Sequence, residues 1–173
     1  MHGYSYLEKD ALQEILMQPA AKKHVGIIHL EMVRESRSLY GMARLSSPKE
    51  AAELAAPMFE RTDREMIVVL SMDSQMEPVA LELAAVGGLK HCGVDMANLF
   101  KHAILSNSAG IICFHNHPSG DCEPSREDMA MTRRLEECGK LLGIPLVDHI
   151  IIGQEGTYLS FAEQGWMKGD GAA

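Results

Sequence analysis

The sequence predicts an α/β protein, a mixed β-sheet flanked by helices. Three observations carry that expectation. Apolar runs of strand length, rich in valine and isoleucine, alternate with longer stretches whose leucines and alanines recur at helical spacing. Serine, aspartate and proline stand where the helical stretches begin, and glycine or proline where they end. The 173 residues, 46% hydrophobic and 23% charged, suit a soluble domain with a real core.

The elements follow in order. SYLEKDALQEILM, residues 5 to 17, sets Leu7, Leu12, Ile15 and Leu16 at helical spacing ahead of Pro19. GIIHLEMVRE (26 to 35) alternates like a half-buried strand, and SLYGMA (38 to 43) returns as its hairpin partner. Residues 1–44 thus read as an N-terminal appendage of helix and hairpin. Ser47-Pro48-Lys49-Glu50 then opens a helix as a capping box with proline at the first helical position. Pro57 marks its kink or end.

EMIVVLSMD (65 to 73) and VALELAAVG (79 to 87) are strands of one hairpin around the turn from Ser74 to Pro78. Asp95 precedes a helix, MANLFKHAILSN, with Leu99, Ala103 and Leu105 near one face. AGIICFHNH (109 to 117) is almost continuously apolar, which predicts a central strand buried on both faces. A long helix runs from Ser125 to about Leu142 and stops at Gly143 and Pro145. LVDHIIIG is a further buried strand, and GQEG turns the chain into TYLSF. The order is α-ββ-α-ββ-α-β-α-ββ.

Charge and composition narrow the function. A net charge of −8 repels phosphate backbones, so direct nucleic-acid binding is not expected. Lys22-Lys23 and Arg133-Arg134, the basic pairs, read as solvated helix faces. No apolar run has the length of a membrane span, and the first residues lack the pattern of a secretory signal. Cytoplasmic residence is therefore expected. Cys92, Cys113, Cys122 and Cys138 form no C-x-x-C pair and read as reduced, mostly buried thiols. Cys122 stands apart because it lies in the most polar stretch of the chain.

That stretch is HNHPSGDCEPSRED, residues 115 to 128. Strand side chains alternate, so His115 and His117 share one face at the end of a buried strand, forming half of a metal site. Ser125 and Asp128 make S-x-x-D at a helix start, which by itself is an N-cap followed by an acid at N3. The two readings are compatible. A capped helix start holds Asp128 at a fixed place and points N–H groups at negative charge.

Together His115, His117, Ser125 and Asp128 spell H-x-H-x7-S-x-x-D. This resembles the JAMM signature of the JAB/MPN metalloprotease superfamily. NSAGIICFHNHPSGD and SREDMAMTRRLEECGKLLGIPLVDHIIIG are further similar to the RadC-like branch of bacterial JAB-domain proteins. The resemblance spans residues 45–167 and leaves 168–173 as a flexible tail. GGLKHCGVDMANLFK departs from it, because RadC-like proteins commonly carry a His-Pro-Arg-Glu string there.

The resemblance implies a JAB/MPN (cytidine-deaminase-like) architecture and a catalytic zinc site. His115, His117 and Asp128 would bind Zn²⁺ and leave a fourth position for water. Glu65, opening a hydrophobic strand as the superfamily's glutamate does, would carry the proton, and Ser125 would stabilise the oxyanion. The implied reaction is hydrolysis of an amide or isopeptide bond in a peptide or protein, with a homo-oligomer left open. The alternative is a non-hydrolytic RadC-like module acting in DNA repair or mobile-element metabolism. Fuller RadC-like proteins carry an N-terminal helix–hairpin–helix module, for which this acidic chain has no room.

Other metal motifs fail. The HNH nuclease residues are scattered along a ββα unit and are not adjacent. A zinc deaminase needs H-x-E and a later P-C-x-x-C, and the H-E-x-x-H helix is also missing.

Overall fold

The computed structural model of the chain describes residues 44–60, 62–87 and 95–167. The helix expected at 5 to 17, the hairpin expected at 26 to 43 and the tail from 168 onward lie outside these residues.

Helix α1, Pro48–Ala55, starts as its sequence predicts. Ser47 Oγ accepts the Glu50 N–H at 3.3 Å, while the Glu50 carboxylate reaches back chiefly to Ser46, taking its N–H at 2.7 Å. The second half of the expected box is therefore made one residue upstream. Pro57 has no N–H to continue the ladder, and the chain passes into a 3₁₀ turn, Ala56–Met58. The helix buries Ala51, Ala52, Leu54 and Ala55 against the sheet.

Strands β1, Met66–Met72, and β2, Pro78–Val86, pair as the antiparallel hairpin. Asp73 Oδ1 fixes its turn by accepting the N–H groups of Gln75 at 2.8 Å and Glu77 at 3.0 Å. Helix α2, Met96–Leu105, is capped by Asp95, whose carboxylate accepts the Ala97 N–H. Strand β3, Gly110–Asn116, is buried at all seven positions and lies in the middle of the sheet. Helix α3, Arg126–Leu142, ends where Gly143 turns to a φ of +70°, and β4, Leu146–Ile152, and β5, Tyr158–Ser160, follow.

The five strands lie in the order β2-β1-β3-β4-β5. β1 is antiparallel to β3, β4 is parallel to β3, and β5 is antiparallel to β4. A parallel neighbour requires a crossover, and α3 supplies it. The sheet is mixed and helix-flanked, as predicted, and three α-helices accompany it among the described residues.

Alternation along β1, β3 and β4 divides the core into two layers. Val68, Leu70, Ile112, Phe114, Ile150 and Ile152 face α1. Ile67, Val69, Ile111 and Cys113 face α2 and α3, where Leu99, Phe100 and Leu135 meet them. Each such large side chain contributes roughly 1.5–3 kcal/mol by leaving water. His115 continues the row of Ile111 and Cys113, so the fold aims it at α3. Arg133 and Arg134 lie exposed on α3, as their pairing suggested. Among the described residues no helix is long and apolar enough to cross a membrane.

Candidate metal centre

The centre forms where β3 hands the chain to α3. His115 is fully buried, His117 is half-buried beyond the strand end, and Asp128 is fully buried in the first turn of α3. One ligand-type atom from each lies within 4.8 Å of the others. His115 Nε2 stands 3.1 Å from His117 Nε2 and 3.1 Å from Asp128 Oδ1, and His117 Nε2 is 3.3 Å from Asp128 Oδ2.

The helix start shapes the carboxylate. Ser125 Oγ accepts the Asp128 N–H at 3.1 Å, and Asp128 Oδ2 accepts the Ser125 N–H at 2.7 Å and its hydroxyl at 2.6 Å. This is a complete capping box. It occupies Oδ2, which His117 also approaches, and leaves Oδ1 facing His115. Oδ1 is buried and has no hydrogen-bond partner, although His115 Nε2 stands 3.1 Å from it. An orphan oxygen of this kind is costly unless a cation completes it.

His117 supplies a second constraint. Its Nδ1 lies 2.8 Å from the Asp121 carbonyl oxygen, which can only accept. Nδ1 therefore carries the proton, and in the neutral ring Nε2 presents a lone pair to the centre. Lone-pair atoms this close need positive charge among them, a proton or a metal ion. Two imidazole nitrogens and a carboxylate are a fitting donor set for a zinc-like ion.

The electrostatics agree. Burial works against ionisation of Asp128, yet His115, His117 and Ser125 together hold its carboxyl far below the ordinary range. Asp128 chiefly raises the His117 imidazole; burial opposes the rise, and the Asp121 carbonyl and Glu65 charge support it.

Glu65 stands half-buried just ahead of β1, near enough for its charge to act on His117. Its backbone is held on both sides. Asn116 Oδ1 accepts the Met66 N–H at 2.8 Å, Asn116 Nδ2 donates to the Arg64 carbonyl at 3.2 Å, and Glu65 O accepts the Gly87 N–H at 2.8 Å. Ser125 is at the centre too, with its hydroxyl proton engaged by Asp128.

The loop from His117 to Ser125 is braced on the β4–β5 turn. Gly153 lies so close to it that an added Cβ would stand 2.5 Å from Cys122 Sγ, so only glycine fits. Cys122 Sγ contacts Thr157 Oγ1 at 3.8 Å, and burial raises its thiol pKa. Cys122 is thus part of the brace. Cys113 is buried, while Cys122 and Cys138 are partly exposed; all three are free thiols.

Three residues at this centre escaped the sequence reading: Asn116, Thr132 and His149. His149 is fully buried in β4 and stacks on Phe161, with ring centroids 4.7 Å apart. Its Nε2 lies 2.9 Å from His115 Nδ1, and its Nδ1 lies 2.7 Å from Thr132 Oγ1. Burial holds His149 well below the usual histidine range. A histidine inside the apolar run LVDHIIIG was the available signal.

A helix-flanked mixed sheet with an H-x-H strand end facing a capped carboxylate has the form of a JAB/MPN-like domain. Comparison with known proteins takes the classification further. The model of the RadC-like JAB domain matches residues 45–166, and the chain belongs to that family. It is 41% identical over 125 residues to a UPF0758 protein of Methanosarcina mazei, covering 72% of this chain and 54% of the relative. A UPF0758 protein of Staphylococcus carnosus is 42% identical over 124 residues, again 72% of this chain and 54% of the relative. One from Shouchella clausii is 40% identical over 123 residues, 71% of this chain and 53% of the relative. The chain spans about half the length of the curated relatives it matches.

Proposed function

We propose that this protein is a zinc-dependent hydrolase of amide or isopeptide bonds. The observation that carries this reading is the meeting of His115 Nε2, His117 Nε2 and the unpartnered Asp128 Oδ1 beside Glu65. His115, His117 and Asp128 hold the ion. Zinc bound there supplies Lewis acidity, which acidifies a water and polarises a substrate carbonyl.

The remaining work falls to the chain. Glu65 takes the water proton and delivers it to the leaving amine, and its clasped backbone keeps the carboxylate beside His117. Ser125 turns its hydroxyl from Asp128 to the substrate oxygen as that oxygen gains charge, so the helix cap doubles as the oxyanion donor. Substrate is a peptide or protein.

The test separates metal from chemistry. Glu65→Gln should retain stoichiometric zinc by elemental analysis yet lose about 10²–10⁴-fold in turnover of a cleaved peptide. Loss of zinc would make Glu65 a ligand, and unchanged turnover would remove it from the reaction.

A further inference from the structure

We infer that Thr132 and His149 act as a tautomer relay, positioning residues that turn the Nε2 lone pair of His115 toward the metal. The inference rests on the metal reading above. It follows from counting protons along one string of hydrogen bonds.

The Thr132 hydroxyl has a single proton and donates it to the Asp128 carbonyl oxygen at 2.8 Å. Toward His149 Nδ1, 2.7 Å away, it can then only accept, so that nitrogen carries the ring proton. His149 is fully buried, and its ring nitrogens meet a hydroxyl and another imidazole with no carboxylate bonded to balance a charge, so the ring is neutral and Nε2 keeps a lone pair. His115 Nδ1, at 2.9 Å, must donate to it. With its proton on Nδ1, neutral His115 presents a bare Nε2 to His117 and Asp128. The string starts at the backbone of one ligand, Asp128, and ends on the ring of another, His115.

The opposite register is chemically complete as well. If Thr132 donated to His149, His149 would donate from Nε2, and His115 would carry its proton on the nitrogen facing Asp128. That arrangement closes the site on itself. The Asp128 carbonyl, which accepts the threonine proton, selects the first register. Phe161 stacked on His149, with Trp166 set edge-on against Phe161, keeps the imidazole plane in place for both bonds.

Imidazole ¹⁵N spectroscopy of the zinc-loaded protein tests this without any substitution. His149 should be protonated at Nδ1 and bare at Nε2, and a proton on His149 Nε2 would overturn the relay. Zinc affinity by chelator competition gives a second readout. Thr132→Val should weaken binding about 10–100-fold and shift His149 toward the Nε2–H form, whereas Thr132→Ser should keep both properties native. Native affinity in Thr132→Val, or a loss in Thr132→Ser equal to that in Thr132→Val, would also overturn it. Failure of the native protein to take up zinc is a separate result, which sinks the metal reading itself.

Discussion

Asn116 grips the backbone on both sides of Glu65, taking the Met66 N–H at 2.8 Å and giving a hydrogen bond to the Arg64 carbonyl at 3.2 Å. The β1–β3 ladder reaches only to Ile67 and His115, so this side chain carries the strand pairing three residues further, to Arg64. The residue between the two histidines thus places the glutamate.

Asn116→Ala should therefore loosen Glu65 without touching the ligands. Two hydrogen bonds worth about 0.5–1.5 kcal/mol each are lost, and urea denaturation should show a drop of about 1–3 kcal/mol. Zinc content should stay at the native level. A loss of zinc would mean that Asn116 supports the histidines instead.

Ser125→Ala removes an N-cap and one of the two hydrogen bonds to Asp128 Oδ2. The expected cost is about 1 kcal/mol in denaturation, with zinc retained because the Ser125 N–H still orients the carboxylate. Turnover should fall about 10²–10³-fold if the hydroxyl also serves the oxyanion. Full activity would confine Ser125 to capping.

Asp148 gives a pH test away from the ligands. Its carboxylate accepts the His149 and Ala162 N–H groups at 2.7 and 3.0 Å and the Ser160 hydroxyl at 2.6 Å. Burial nevertheless outweighs these bonds and raises its pKa above 3.8. The folded state thus binds the proton more tightly than the unfolded state. The contribution of Asp148 to stability falls as pH climbs from about 3.8 through that raised value. Asp148→Asn has no such titration. Its stability relative to native protein should improve between pH 4 and pH 7, and an unchanged difference would refute the assignment.

Duplex DNA should bind weakly at physiological salt, since a net charge of −8 opposes release of counterions. Tight binding that collapses with added salt would favour the non-hydrolytic, DNA-directed reading over hydrolysis. A filter-binding titration at two salt concentrations decides it.

What could be read in the sequence depended on how local its physics is. β1, β3 and β4 are largely apolar runs, and α3 carries its own start in Ser125 and Asp128 and its own stop in Gly143, so each showed in a short window. His115 and His117 showed because strand alternation alone puts them together. Thr132 and His149 did not, because crossover pairing brings them to each other, and His149 to His115, from distant stretches. Asn116 looked like a spacer, since its partners lie 50 and 52 positions away and only sheet register makes them neighbours. Glu65 stood out only through the family resemblance, because one acid in TDRE has no local signature.

His115, His117 and Asp128 lie within the fourteen positions from 115 to 128, a single strand-to-helix turn, whereas Glu65 enters from a hairpin at the far side of the β1–β3 ladder. Breathing of the molecule can therefore act on the two halves separately. If β1 and β2 swing open together as one unit of partial unfolding, Glu65 leaves with them while β3 and α3 keep His115, His117 and Asp128 together. Under the proposed function, such an excursion would silence the protein and leave it loaded. Closing the hairpin would then restore it without a fresh capture of metal.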